Sequence, residues 1–480
     1  MGSFGPGTTR RRFLIQFAAA GGAMMAAACA PPEPTPKAKV EATQPPAAQP
    51  AAKPTEAAKP TEPAKPGEAK PAATQAAPAQ ATGAGVITFV NWEDIKDTPF
   101  EESINEFQRV SGRTVEVQPT PGRGTEYETK IRVMLAGGTV PDIMRTNDDY
   151  VRYYSVKDQV MDLRPFLERD RINPDEYFKP IYDFAKQPDG KYTAWSLGNQ
   201  PRVIFYNVTM FKDAGVPLPP KDWTDKDWKW DDFLDRAKKL TVPDQRWGAL
   251  LYDDTGMEQT FTVNNGETDG LYSADGKQFT MANPKGAEAI QWLSDLTCKH
   301  QVQPERGLVT QPDSGNALFA AGKIAMMARG SSVVSYLRRN VKDFEWDIAP
   351  IPGNVQQKQE GSLICFTITR AAKNPDGAWE LLKFMGGTDG GKIFAEGGAF
   401  IPANKAAAAF VKPSDQPPAN IELFAKAMAV NVNINFTENT ERARSIYRQE
   451  LDLVYTCQAQ AQEVLQRVRP DVEDALVGKF

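Results

Sequence analysis

The sequence predicts an α/β protein built as two lobes. Three observations lead there. At 480 residues the chain is longer than one compact core usually takes. Short β-rich runs alternate with segments whose apolar residues recur at helical spacing, which argues for strands joined through helices with mostly parallel pairing. The body also lacks any apolar run of eighteen residues or more, so nothing in it is predicted to span a membrane.

The elements follow in order. Val86–Val90 is a β-rich opening run, and Phe100, Ile104, Phe107 and Val110 then recur at helical spacing. Thr114–Val117 is a short strand. Tyr127, Ile131 and Leu135 mark a helix ended by Gly137-Gly138, and Asp142-Ile143-Met144 opens the next strand. Val203–Tyr206 is a strand, after which Asn207 caps a short helix that stops at Gly215. Trp230–Leu240 is amphipathic, with Phe233, Ala237 and Leu240 on one face. Asn283-Pro284 and Asn374-Pro375 each open a helix with a capping residue followed by proline. Leu363–Thr369 is a strong β run, and the last fifty residues read as helical.

Composition narrows the function. The formal net charge is −5. Residues 1–28 hold Arg10, Arg11 and Arg12 and no acid, so removing them lowers the charge by three, to −8. An acidic chain without a basic stripe is a poor partner for nucleic acid, whose phosphates need clustered Lys and Arg. Of four cysteines, Cys29 lies in the N-terminal region. Cys298, Cys365 and Cys457 read as small buried hydrophobes, with at most one disulfide among them.

The N-terminus is laid out as an export signal over residues 1–28. A positive stretch, Thr9-Arg10-Arg11-Arg12-Phe13-Leu14, precedes a mildly apolar run that closes on Ala26-Ala27-Ala28-Cys29. The first stretch resembles the twin-arginine export motif, with Ile15 where Lys is common. The second resembles a bacterial lipobox, with Ala26 in place of the usual Leu, and implies lipidation of Cys29. Residues 29–85 are predicted to be a disordered tether of Pro, Ala, Lys, Glu, Thr and Gln. Lys53-Pro54-Thr55-Glu56 recurs there as Lys59-Pro60-Thr61-Glu62. Extended as polyproline II, it would reach on the order of 150 Å.

The phrases of the body carry a resemblance. Leu135-Ala-Gly-Gly-Thr-Val-Pro141-Asp142-Ile143 resembles the AGG-x-x-PD-[IV] turn of the bacterial extracellular solute-binding family 1. Gly190–Trp195, Val203–Asn207 and Phe211-Lys-Asp-Ala-Gly215 resemble its central segment. Trp230-Asp-Asp-Phe233, Phe319–Met326 and Asn374-Pro375 through Phe384 resemble later ones. The likeness is collinear over roughly residues 86–470. It implies a periplasmic-binding-protein-like class II fold: two discontinuous α/β lobes with a hinge and an interlobe cleft. Transferred here, one lobe holds 86–198 and 348–400, and the other holds 199–347 and 401–480. Hinges are expected near Leu197–Pro201, Ala349–Pro352 and Ala399–Pro402.

The resemblance further implies an extracytoplasmic substrate-binding lipoprotein of an ABC importer. It would capture a small solute, a mono- or oligosaccharide above all, by hinge closure and deliver it to the permease subunits. It would be an exported monomer, held by lipid on Cys29 to the outer face of the cytoplasmic membrane, using no cofactor and no metal. Expected ligand contacts are Asn91, Trp92 and Glu93 after the first strand; Asn147 and Asp148 after the Pro-Asp-Ile strand; and Gln200 and Arg202 at the first crossover. Gly330, Ser331 and Ser332 follow the Lys323-Ile-Ala-Met strand, and Gly361, Ser362, Asn435 and Phe436 complete the set. Sugar sites combine aromatic planes with paired polar groups, and these residues offer both. Maltose-binding members have an aromatic platform where this chain has Ser332, which counts against maltodextrins.

Trp92 could be core, Asp148 could cap the helix that follows it, and Arg202 could form a structural ion pair. Tyr206, Trp195, Trp379 and Phe384 are assigned to packing, as is the cluster of Trp223, Trp228 and Trp230. Rival functions are a binding lipoprotein for polyamine, glycerol phosphate or iron, a sensory receptor subunit, and, remotely, a surface glycoside hydrolase. Catalysis finds little support: His300 is the one histidine, and no nucleophile-elbow, zinc-protease or phosphate-loop motif is present.

Overall fold

The computed structural model describes residues 85–479 apart from Glu93, Pro121, Arg123, Gly124, Asp253, Asp254 and Pro312. The signal, the lipobox Cys29, the tether up to residue 84 and the ligand candidate Glu93 therefore lie outside the described residues.

Ten strands follow in chain order among the described residues: β1 (Ile87–Asn91), β2 (Val115–Pro119), β3 (Ile143–Thr146), β4 (Trp195–Gln200), β5 (Arg202–Asn207), β6 (Trp247–Leu250), β7 (Ile324–Gly330), β8 (Trp346–Ala349), β9 (Ser362–Ile368) and β10 (Ile401–Pro402). They form a six-stranded sheet ordered β10-β4-β9-β3-β1-β2 and a four-stranded sheet ordered β6-β7-β5-β8. Each sheet, with its helices, is the centre of one lobe.

The chain leaves the first sheet at the end of β4 and enters the second at β5 across the single residue Pro201. It returns through the segment 350–361 between β8 and β9. Two boundaries differ from expectation. Residues 348 and 349 pair with β5, so they belong to the second lobe. Ile401 and Pro402 pair with β4, and Ala403 N donates to Leu197 O, so the first lobe runs beyond residue 400.

Mostly parallel pairing is also corrected. Pairs β1–β2, β1–β3 and β6–β7 are parallel, but β3–β9, β4–β9, β4–β10, β5–β7 and β5–β8 are antiparallel. A helix carried over the sheet brings the chain back parallel, whereas a strand entering from the other lobe is free to run either way.

Local chemistry explains the elements. Asn207 Oδ1 accepts from Met210 N and Asn374 Oδ1 from Gly377 N, so both asparagines cap their helices. The Pro99–Ser111 helix ends at Gly112, whose φ of 70° suits glycine. The Trp230–Leu240 helix buries Trp230, Phe233, Leu234, Ala237 and Leu240.

Of the tryptophans assigned to packing, Trp195, Trp379, Trp228 and Trp230 are core, and Trp223 is half-buried against it. Trp195 meets Trp379 edge-on at 5.2 Å. Trp230 stacks on Trp292 at 4.6 Å, and Trp228 is buried with its Nε1 donating to Pro350 O. Aromatic pairs of this kind add about 0.5–1.5 kcal/mol each beyond their buried area.

The cysteines are not all hydrophobic filler. Cys298 and Cys457 form a disulfide, while Cys365 is free and buried in β9.

Candidate functional site

The crossover gathers six of the expected residues. Gln200 pairs with Ser362 across β4 and β9, and Arg202 pairs with Gly330 across β5 and β7. Ser331 N donates to Pro201 O. Asp148, the first residue of the Asp148–Val156 helix, joins them, because its Oδ2 accepts from Leu363 N at 3.1 Å. Asp148 does not cap its helix from outside: Asn147 stands at that position, without a side-chain capping bond.

Several of these residues are committed to structure. Arg202 forms an ion pair with Glu360, the two side chains only 13% and 7% exposed, which favours its structural role. Asn91 is fully buried and accepts from Arg145 Nη1 at 3.3 Å, so it is not a surface a solute could reach. Trp92 lies with the Arg145 guanidinium 3.6 Å from its ring centroid and meets Tyr127 edge-on at 5.5 Å, a packing role. Asn147 donates through Nδ2 to Glu128 Oε1 at 2.8 Å. The Asn435 amide donates to Tyr272 O at 2.9 Å. Ser332 is exposed.

Between the lobes lies a cavity of 270 Å³. One wall is Asp148, Val151 and Arg152 with Pro180, Asp183 and Phe184; the other is Ala274–Gly276 with Asn433–Thr437. Of the expected residues, Asp148, Asn435 and Phe436 line it. Phe184 and Phe436 approach from opposite walls, with ring centroids 6.5 Å apart and planes at 85°. Phe184, Asp183, Asp275 and Asn433 escaped sequence reasoning. One signal was present: Asn431-Val-Asn433-Ile-Asn435-Phe alternates polar and apolar residues with period two, marking an extended segment with one polar face.

That segment is the hub of the crossover. Asn431 Oδ1 accepts from Asn199 Nδ2 (3.2 Å), Gln359 Nε2 (2.9 Å) and Gly361 N (3.1 Å). Its Nδ2 donates to Asn433 Oδ1, and Asn433 Nδ2 donates across to Pro180 O at 2.7 Å.

Behind the first-lobe wall lie buried acidic side chains. Glu128 accepts from Asn147 and, at 2.5 Å, from the Tyr154 hydroxyl; burial pushes its pKa up to about 6. Asp149 is pushed up to about 7 by burial and then by neighbouring Asp148, against the pull of Arg444. Burial likewise raises Asp148, opposed by the Leu363 and Asp149 N–H groups.

For Glu128 the sign is definite. Its folded pKa lies above the unfolded value of 4.5, so the native state binds more protons and loses stability as pH rises from about 4.5 to 6. Glu128→Gln mimics the protonated form. Its stability relative to wild type is expected to improve by about 2 kcal/mol between pH 4.5 and 7, read from urea unfolding at each pH. A difference independent of pH would contradict the shift.

Comparison with known proteins agrees with this architecture. Residues 102–425 match the description of bacterial extracellular solute-binding proteins. A putative binding protein of Brucella abortus is 23% identical over 225 residues, 45% of this chain and 52% of that protein. The chain thus spans about half the length of the curated relatives it matches first. Among solved structures, an ABC substrate-binding protein from Listeria monocytogenes in complex with cycloalternan is 23% identical, with a TM-score of 0.71 over 82% of this chain and 99% of that one. The GacH receptor of Streptomyces glaucescens, solved unliganded and with acarbose, is 17% identical, with a TM-score of 0.66 over 83% of this chain and 100% of that one. These likenesses establish a class II periplasmic-binding fold, and the relatives are binding proteins. With the match covering the greater part of the chain, from the Pro99–Ser111 helix to beyond β10, the protein belongs to the bacterial extracellular solute-binding family.

Proposed function

We propose that this protein is the substrate-binding component of an ABC importer, capturing a small saccharide between its lobes and presenting the closed form to the permease. The observation that carries the reading is the interlobe cavity, where two aromatic rings from opposite walls stand among short polar groups. Aromatic faces cover the apolar side of a sugar ring, while Asp148, Asp183, Asp275 and Asn433 suit its hydroxyls. At 270 Å³ the space is at the small end for ligand sites, which run about 300–1,000 Å³, and favours a short sugar over a long chain. Exposed Ser332, where maltose binders are aromatic, supports the same restriction. Relatives of this fold solved with cycloalternan and acarbose lend weight to a carbohydrate ligand.

Closure is a hinge motion about Pro201 and the 350–361 segment that shifts the population towards the closed form. Export through the arginine-rich signal and lipidation at Cys29 complete the reading, supported by Ala26-Ala27-Ala28-Cys29 and the proline-rich segment behind it.

The test is thermal melting of the full chain against mono- and oligosaccharides, polyols, polyamines and ferric iron. A ligand at 100 times its Kd stabilises the folded state by about 2.7 kcal/mol. One sugar class is expected to raise Tm, and Phe436→Ala is expected to weaken its binding about five- to tenfold, since an aromatic face over a ring contributes about 1–1.5 kcal/mol. A shift with polyamine or iron instead would replace the sugar assignment, and full binding by Phe436→Ala would displace the site.

A further inference from the structure

The two lobes meet through charges beside the cavity. On the Asp148–Val156 helix, Asp149 and Arg152 stand three residues apart, so they share one face. The second lobe meets them with opposite signs. Arg444 Nη2, on the Thr440–Tyr455 helix, donates to Asp149 Oδ2 at 2.7 Å. Glu438, just before that helix, accepts from Arg152 Nε at 3.3 Å. The first pair is largely shielded, its side chains 24% and 11% exposed, and the second is partly so at 26% and 32%. Arg444 also pairs with Glu441 one turn before it, which orients the guanidinium.

We propose that these crossed ion pairs, Asp149 with Arg444 and Arg152 with Glu438, form a latch that sets the balance between open and closed lobes and so the protein's hold on its solute.

The charge pattern carries the argument. The first lobe concentrates Glu128, Asp148 and Asp149 around the start of one helix. Closing the lobes shields these carboxylates from water, which is costly unless a cation arrives with the closing surface. Arg444 is delivered by the closing lobe itself. In the open form both partners return to water at little cost, so the pair favours closure differentially, the requirement for shifting a conformational equilibrium. The alternation of sign along the helix also fixes register, since a slip of one turn would set like charges together. Asp149, Glu438 and Arg444 do not line the cavity whereas Arg152 does, so the Asp149–Arg444 pair is the arm that acts on the equilibrium without touching solute.

This inference rests on the reading of the cavity as a closing cleft, but its test needs no solute. Small-angle scattering on the ligand-free full chain would compare wild type with Asp149→Asn, Arg444→Gln, the double variant and Arg444→Lys, each checked for a native melt. Each single neutral variant is expected to shift the closed-to-open ratio about tenfold towards open, seen as a larger radius of gyration. The double variant should do no more than either single, because one interaction is lost in all three. Arg444→Lys should stay near wild type, and raised salt should move wild type towards the variants. Glu438→Gln gives a second route if Arg444→Gln does not fold. Identical radii for all proteins, or additive shifts in the double variant, would overturn the latch while leaving solute binding untouched. A latch that behaves as described in a protein indifferent to every sugar would instead overturn the sugar assignment alone.

Discussion

Asn431→Ala is expected to cost about 3 kcal/mol of folding stability, a large share of the 5–15 kcal/mol a typical domain has. The residue is 5% exposed and its side-chain oxygen accepts three hydrogen bonds, from Asn199, Gln359 and Gly361. Its removal strands donors unequally. Asn199 Nδ2 keeps Gly361 O at 2.9 Å, and Gln359 Nε2 keeps Ala427 O at 3.2 Å. Gly361 N loses the acceptor that satisfied it in the buried hinge. One fully orphaned buried donor costs about 1–3 kcal/mol, and two weakened neighbours bring the total to about 3. Urea unfolding should show a lower midpoint with an unchanged slope, since the surface exposed on unfolding is the same. A loss below about 1 kcal/mol would mean that the hinge segments hold one another without this hub. Asn433→Ala, whose side chain bridges only Asn431 and Pro180, should cost less.

This hub shows what the sequence could and could not reveal. Individual helices and strands were legible because each has a period, whereas the division into lobes came from the resemblance. The Trp230–Leu240 helix and the caps at Asn207 and Asn374 are local features, fixed by neighbours within a turn. Strand direction was not legible: whether β9 runs parallel or antiparallel to β3 depends on a crossing between lobes that brings together residues as distant as Asp148 and Leu363, 215 positions apart.

The site divided along the same line. Asp148 and Phe436 reach the cavity because they follow elements whose ends face the cleft. Arg202 and Asn91 sit at similar ends, but their functional groups are turned into Glu360 and Arg145, partners that only the folded chain brings near. Phe184 had no periodic context to set it apart. The alternation of Asn431, Asn433 and Asn435 did carry a signal, and its three amides hold three different parts of the molecule.

Loss of the disulfide is the other large effect expected. Cys298 ends the Pro284–Cys298 helix, Cys457 follows the Thr440–Tyr455 helix, and 159 residues separate them. The closed loop runs out of the second lobe, through β9 and β10 of the first, and back. Cross-linking a loop this long removes about 5 kcal/mol of chain entropy from the unfolded state in the simplest treatment, and measured losses run about 2–5 kcal/mol. Cys298→Ala, Cys457→Ala and the double variant should therefore lose the same 2–5 kcal/mol, because each breaks one bond, and reductant should bring wild type to the same point. Cys365→Ala, a small change at a buried free thiol, leaves the bond in place and should respond to reductant as wild type does. Wild type indifferent to reductant in urea unfolding would show that the bond adds nothing. The effect on solute affinity should be much smaller than on stability. Arg444 lies thirteen residues before Cys457, about 20 Å along the helix, so a helix loosened at its far end still presents the guanidinium to Asp149. Stability and capture thus separate within one helix: its C-terminal end is tied down by the disulfide, and its N-terminal end meets the opposite lobe.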